Sequence, residues 1–222
     1  MSDLVALGPF FAVHTHVRGA PVPPPWQSMT LLIDDTDVLA GRVEAVRTAL
    51  ARRVGRQPGA VEIRVAASVA HLGLVARLIA PMIGVSMLGH APSAWSVDEL
   101  WWQNTLGGPY PLSAVDRPAT WGPGPGPAVE AITTAIAERY RVSGHVLWGN
   151  IGSAANSAAR LICTSRPDLT AAAHAAADII LTDSRINGGS LRAGSQFRRN
   201  SCCLIYRTAD DRSAICGDCI LE

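Results

Sequence analysis

VEIRVAASVAHLGLVARLIAPMIGVSML, residues 61–88, is apolar almost all the way round and rich in alanine. A helix without a polar face has to be surrounded by other elements, so this stretch predicts the central helix of a bundle. Pro81 lies inside it and lacks the N–H that a helix interior uses, which predicts a kink or a split. His71 and Arg77 are its conspicuous polar residues and read as satisfied core or boundary groups. The most apolar stretch, residues 71–89, contains Arg77 and Pro81 and falls short of an uninterrupted membrane span, and no transmembrane segment is expected.

Upstream, the first thirty-five residues read as extended. Residues 10–17 alternate imperfectly, 20–25 form a proline-rich loop, and 29–33 read as a short buried strand. A helix follows, with Asp35 or Thr36 as its cap. Leu39, Val43, Val46, Leu50 and Val54 recur at steps of three and four and make one apolar stripe. Arg42, Arg47, Arg52 and Arg53 lie mostly off that stripe and read as a solvated face.

Downstream, Leu100-Trp-Trp102, Gly107-Gly-Pro109 and the segment after Tyr110 predict a hairpin-like excursion around a glycine turn. Trp101 and Trp102 would then point to opposite faces, one of them onto the core. Residues 107–127 are unusually rich in glycine and proline and form a loop dividing the body into two halves. Three helices follow. Val129, Ile132, Ile136 and Tyr140 mark the first, residues 145–162 the second, and Leu169, Ala173, Ala176 and Ile180 the third, with Pro167 at its start. From Asn187 the chain turns irregular.

The last twenty-one residues hold four of the five cysteines, as Cys202-Cys203 and Cys216-Gly-Asp-Cys219. Four thiolates brought together suit an iron–sulfur cluster or zinc. Cys-x-x-Cys sets two thiolates on one metal through a tight turn, for which Gly217 offers backbone freedom. An adjacent pair is harder, because in a plain strand its side chains point to opposite faces, so the chain must bend there. Zinc ribbons usually use two spaced pairs; the vicinal pair therefore favours iron–sulfur, with a zinc staple as the alternative.

Composition bounds the rest. Hydrophobic residues make up 48% and charged residues 17%, as in a folded globular chain, and the net charge of +1 argues against a general nucleic-acid binder. Every one of the 19 positive charges is arginine. The N-terminus has no positive start followed by a long apolar run, so no secretory signal is expected and the chain reads as cytoplasmic. In that reducing compartment clustered cysteines bind metal or do redox chemistry.

FRRNSCCLIYR (197–207) followed by CGDCIL (216–221) resembles the C-terminal signature of the FhuF-type ferric-siderophore reductases. SVAHLGLVARL (68–78), LWW (100–102) with GGP (107–109), and VLWGN (146–150) resemble the actinobacterial members. The resemblance implies a 2Fe–2S cluster on Cys202, Cys203, Cys216 and Cys219, with Arg198 and Arg199 beside it. It implies one-electron reduction of ferric siderophores in the cytoplasm, supplied by a ferredoxin or a flavin reductase. The twelve residues between the cysteine pairs make a longer spacer than family members commonly have, with a polar turn around Asp210, Asp211 and Arg212. That lengthens the loop without moving its ends. Arg192, Arg207 and Arg212 join Arg198 and Arg199 in making this segment locally positive.

The expected architecture is α+β: a mainly helical body with a few short strands over 1–186, and a C-terminal cysteine-ligated iron–sulfur module over 187–222. Two other readings fit the same cysteines, an iron–sulfur sensor acting on a protein partner and a zinc-stabilised binding protein. Asn150, Ser153, Ser157 and Arg160 form a polar stripe that faces water or lines a siderophore groove. Trp148 and Cys163 read as core residues. His14 and His16 share one strand face without a visible third ligand.

Overall fold

A computed structural model describes residues 2–87, 94–116, 124–209 and 216–220. The turn expected around Asp210, and part of the 107–127 loop, lie outside these residues. The fold is α+β, mostly helical with one small four-stranded sheet.

The central helix is α4, Ile63–Met87, reached after α1 (Ser2–Ala6), α2 (Leu31–Asp34) and α3 (Thr36–Arg53). It is long and apolar enough to cross a membrane by length and composition alone, with 72% of that window buried inside the protein. It packs against α3 and against α5 (Pro127–Tyr140), α6 (Gly144–Ser165) and α7 (Thr170–Leu181). One hydrophobic cluster spans all of these helices, so residues on both sides of the 107–127 segment share a core. Pro81 sits within α4 without ending it, because packing on every side holds the helix together where one backbone bond is missing.

The Asp35 side chain caps α3 by accepting from the Asp37 N–H at 2.8 Å. Leu39, Val43, Val46 and Leu50 are buried as the stripe requires. Arg42 is a correction to the solvated-face reading, being only 4% exposed. Its guanidinium donates to Asn104 Oδ1 at 3.0 Å and to the Thr105 carbonyl at 2.6 Å, beside the rings of Trp102 and Tyr110. Arg77 is the satisfied core group expected, donating to the Tyr110 carbonyl at 2.8 Å, to Phe10 O at 2.9 Å and to Ala12 O.

The sheet order is β1-β4-β3-β2, from β1 (His14–His16), β2 (Gln27–Ser28), β3 (Leu100–Trp102) and β4 (Leu112–Val115). β3 and β4 form the expected antiparallel excursion, with Trp101 opposite Ser113, while β1 runs parallel to β4. Trp102 is fully buried, whereas Trp101 stacks on His16 at 3.7 Å between ring centres. The strand expected at 29–33 is replaced by a turn at Met29 and Thr30 followed by α2. Met29 and Leu32 are three apart and both buried, so a short apolar run satisfied a helical turn as easily as a strand. The N-terminal segment also holds a short helix, α1, that an extended reading left out.

Candidate metal centre

α6 presents a face of small and polar residues, Gly149, Asn150, Gly152, Ser153 and Asn156, and all of them are buried. The spacing places them along one side of a helix. The C-terminal segment lies against this face. Phe197 is buried in the core, the Gly194 N–H donates to Asn156 Oδ1 at 2.9 Å, and Ser153 Oγ donates to Asp218 Oδ2 at 2.9 Å. Gly149 marks the closest approach, since a Cβ there would stand 1.8 Å from Ser201 Oγ. The polar stripe thus divides. Asn150 and Ser153 face inward, a correction to the water-facing reading, while Ser157 and Arg160 remain exposed.

The module brings its cysteines together in pairs that sit 3.6–4.1 Å apart. Cys203 Sγ donates to Cys216 Sγ at 3.6 Å. Two thiolates on one tetrahedral metal, with metal–sulfur bonds of about 2.3 Å, would stand about 3.8 Å apart. Among the described residues no three His, Cys, Asp or Glu side chains are set around a single point. The chain bends just after the vicinal pair, where Leu204 adopts φ +70° and its N–H donates to Cys202 Sγ at 3.3 Å. At the second pair the Cys219 N–H donates to the Cys216 carbonyl at 3.0 Å. Gly217 has no left-handed φ there and open space around its Cα, so the backbone freedom expected of it is not used.

Arg198 and Arg199, alike in the sequence, point opposite ways. Arg198 is exposed and donates to the Phe197 carbonyl. Arg199 is 1% exposed, and among the described residues no carboxylate pairs with it. Its Nη2 donates to Cys216 Sγ at 3.4 Å and its Nη1 to Asn150 Oδ1 at 2.8 Å. Asn150 Nδ2 donates to the Ser68 carbonyl at 3.0 Å and faces His71 Nδ1 at 3.4 Å. Thr133 Oγ1 already donates to the Val129 carbonyl, so it accepts from His71 Nε2 at 2.9 Å. The donors therefore run one way, from the guanidinium through Asn150 and His71 to Thr133, and each polarises the next.

This arrangement has electrostatic consequences. Cys203 and Cys216 share a proton: the hydrogen bond from Cys203 and the Arg199 guanidinium hold Cys216 toward thiolate, while Cys203 is pushed up. Burial pulls His71 from 6.5 down to about 3, so it stays neutral in the fold. The sign follows from linkage. Below pH 6.5 the unfolded chain takes a proton that the folded chain refuses, so stability is full above 6.5 and is lost as pH falls toward 3. The slope from this group is about 1.4 kcal/mol per pH unit. His71→Gln, which can keep both contacts, should flatten that limb in urea-midpoint measurements from pH 7 to pH 4; parallel wild-type and variant curves would contradict it.

The residues fit an electron-rich metal–sulfur group. A buried cation with no carboxylate partner is costly, and thiolates supply the missing negative charge. Among the described residues, Arg199 Nε and Ser201 Oγ are buried donors without a protein partner in the same region. Beside the module, between α4 and α6, lies a cavity of about 310 Å³ walled mainly by aliphatic side chains and reaching Arg199, Cys216, Gly217 and Asp218.

Other candidates stand apart. His14 packs edge-on to Trp26 and His16 bonds Ser113 Oγ at 2.9 Å. Trp148 is half-buried with the Arg185 guanidinium 4.0 Å from its ring centre. Cys163 is half-buried with Sγ 3.6 Å from His174 Nε2. The sequence reading missed the role of Gly149 and Gly152; the signal was the run of small residues on α6 at helical spacing. Searches against protein-family models, curated proteins and solved structures find no match to this chain.

Proposed function

We propose that this chain is a cytoplasmic one-electron reductase of ferric siderophores, with a 2Fe–2S cluster on Cys202, Cys203, Cys216 and Cys219. The observation that carries the reading is the approach of Cys203 and Cys216, one from each cysteine pair, beside the buried Arg199, with which no carboxylate pairs among the described residues. A 2Fe–2S core takes two thiolates on each iron, so it calls for pairs, whereas a zinc staple calls for all four on one ion. The cluster would supply single electrons, each converting one ferric ion to ferrous, and would be replenished by a ferredoxin or a flavin reductase.

The protein's own contribution is positional. Hard anionic oxygens hold ferric iron far better than ferrous, so reduction alone loosens the complex without breaking the chelator. Donors aimed at sulfur, the Leu204 N–H and Arg199 Nη2, stabilise added negative charge. Arg198, exposed beside them, offers a cationic contact for an acidic electron donor.

Anaerobically purified protein should be coloured, give a spin-resonance signal on reduction, and yield trapped ferrous iron from ferric siderophores. Cys163→Ser should leave all three intact, and a serine at any of the four module cysteines should abolish them. A colourless zinc protein would sink the reading, and a cluster that yields no ferrous iron would favour a sensor.

A further inference from the structure

An open groove lies where the start of α4 meets the end of α5, and it shares no lining residue with the cavity between α4 and α6. Its volume is about 380 Å³, with Glu62, Ile63 and Arg64 on one side and Arg139, Tyr140 and Arg141 on the other. We propose that this groove is the docking site for the protein that delivers electrons, and that the partner meets it with an acidic face. The assignment rests on the reductase reading of the module.

Charge decides the sign of the partner. The chain as a whole carries only +1, yet three arginines converge here. Among the described residues Glu62 is the one carboxylate in the lining, and Arg207 of the module donates to both its oxygens, at 3.3 and 3.2 Å. Glu44, whose charge reaches Tyr140, is held by Arg47 at 3.4 Å. Arg139 is anchored on the Leu32 and Ile33 carbonyls. Arg64 and Arg141 are exposed, and among the described residues their side chains make no ion pair or hydrogen bond. Arg141 stands at the C-cap of α5 in left-handed backbone, φ 52°, a place that glycine usually fills. Local backbone preference therefore does not explain an arginine there, whereas a need for its charge does.

Position decides what the partner does. Arg207 lies on the turn Ile205–Thr208, four residues after Cys203, so the two are at most about 14 Å apart even along a fully extended chain. A partner seated on the groove thus lies on the flank of the module. One electron leaves its reduced centre and enters the cluster, with no bond made or broken. Ile63, 38% exposed, and the half-buried ring of Tyr140 add apolar surface among the arginines, a mixture that protein interfaces favour. The cationic groove steers an acidic partner inward, so association should depend on salt.

An acidic plant-type 2Fe–2S ferredoxin serves as the probe, with a basic c-type cytochrome as its counterpart. In calorimetric titrations of oxidised proteins at low salt, wild type should bind the ferredoxin and not the cytochrome, and added salt should weaken the complex. Arg64→Glu should weaken it at least about tenfold, and the substitution suits the first turn of α4, where negative charge is favourable. Arg141→Gly, which removes a charge and suits the left-handed backbone, should weaken it by up to about fivefold, the worth of one exposed ion pair. Arg166→Glu makes the same charge change as Arg64→Glu at the far end of α6, about 33 Å from the start of that helix, and should leave binding near wild type. The rate of electron transfer from reduced ferredoxin should fall in the same order, with visible spectrum and reduction potential at wild-type values throughout. Unchanged binding in both groove variants, equal weakening by Arg166→Glu, or no binding by wild type would overturn the proposal. So would phosphatidylglycerol vesicles occupying the groove through Arg64 and Arg141 in place of ferredoxin. Ferrous release from chemically reduced wild type tests the reductase reading by itself. If only that reading fails, no ferrous iron appears, yet ferredoxin binding still depends on Arg64. If only the docking assignment fails, ferrous iron is released and ferredoxin reduces wild type and Arg64→Glu equally fast.

Discussion

With the proposed cluster on the module, Arg199→Met will lower both the stability and the reduction potential of the loaded protein, and Arg198→Met will change neither by a comparable amount. Arg199 is fully covered, so its charge is not screened by water, and its bonds end on Asn150 Oδ1 and Cys216 Sγ. Removing one partner of a buried charged contact costs about 3–5 kcal/mol, because the other is left uncompensated. Here the stranded partners are the thiolate at Cys216 and the carbonyl oxygen of Asn150. The potential should fall because reduction adds negative charge that the guanidinium no longer offsets. The dependence of the stability effect on metal is the sharper test. Without metal, the guanidinium faces the single thiolate at Cys216 in place of a whole cluster's charge, so Arg199→Met should cost the metal-free protein less. Arg199→Lys should recover part of the potential but little of the stability, since an ammonium cannot fork to Asn150 and Cys216 together. Urea unfolding of loaded and metal-free forms, with spectroelectrochemical titration, reads all of this. Equal losses in the two forms would reduce Arg199 to a packing role.

The fold was legible where periodicity was long and unambiguous. The stripe of Leu39, Val43, Val46 and Leu50, the all-round apolar run of α4 and the steps of α5 to α7 each place a helix within a few residues of its bounds. The antiparallel pairing of β3 with β4 followed from the tryptophan pair and the glycine turn. What failed was short or tertiary. The run 29–33 is too brief for its period to separate a strand from a turn of helix. Arg42 lies off its stripe by local count, but Asn104 and Thr105 supply acceptors from a distant loop that no local pattern announces. The parallel pairing of β1 with β4 joins His14 to Ser113 across most of the body, and such long-range register is invisible in either strand alone.

In the site, residue types were legible and directions were not. The four cysteines stand out by spacing alone, and the need for a bend at the vicinal pair is met one residue later, at Leu204. That Arg199 turns inward while Arg198 turns outward depends on Asn150, forty-nine positions earlier, offering it an oxygen inside the core. Asn150 itself looked like one more polar residue on an exposed stripe. Its burial depends on Ser68 and His71 of α4, and hence on how α4 and α6 cross. The small residues around it were the overlooked clue, because glycine in a helix interior costs about 1 kcal/mol relative to alanine and calls for a packing reason.

Gly149→Val tests that packing reason directly, and the expected outcome separates the module from the body. A Cβ at this position already meets Ser201 Oγ at 1.8 Å and Ser201 Cβ at 3.2 Å, and valine adds two further methyl groups. The hydroxyl can rotate away, but the Ser201 Cβ moves only with its backbone, two residues from Cys203. Overpacking of this kind costs about 1–3 kcal/mol and occasionally more, and here the strain falls on a segment held to α6 by a few hydrogen bonds. The helix itself should not suffer, because glycine is the poorer helix former. Helical circular dichroism should therefore stay near wild type while metal content falls and limited proteolysis opens the segment around 187–200. Gly149→Ala should show a milder form, and Ser201→Gly in the same chain should restore metal content, with a coupling of about 0.5–3 kcal/mol between the two sites. Full metal occupancy and unchanged protease resistance in Gly149→Val would mean that the cysteine module does not seat on α6 at all. The buried guanidinium would then lose its route to Asn150, and the charge argument for the metal centre would fall with it.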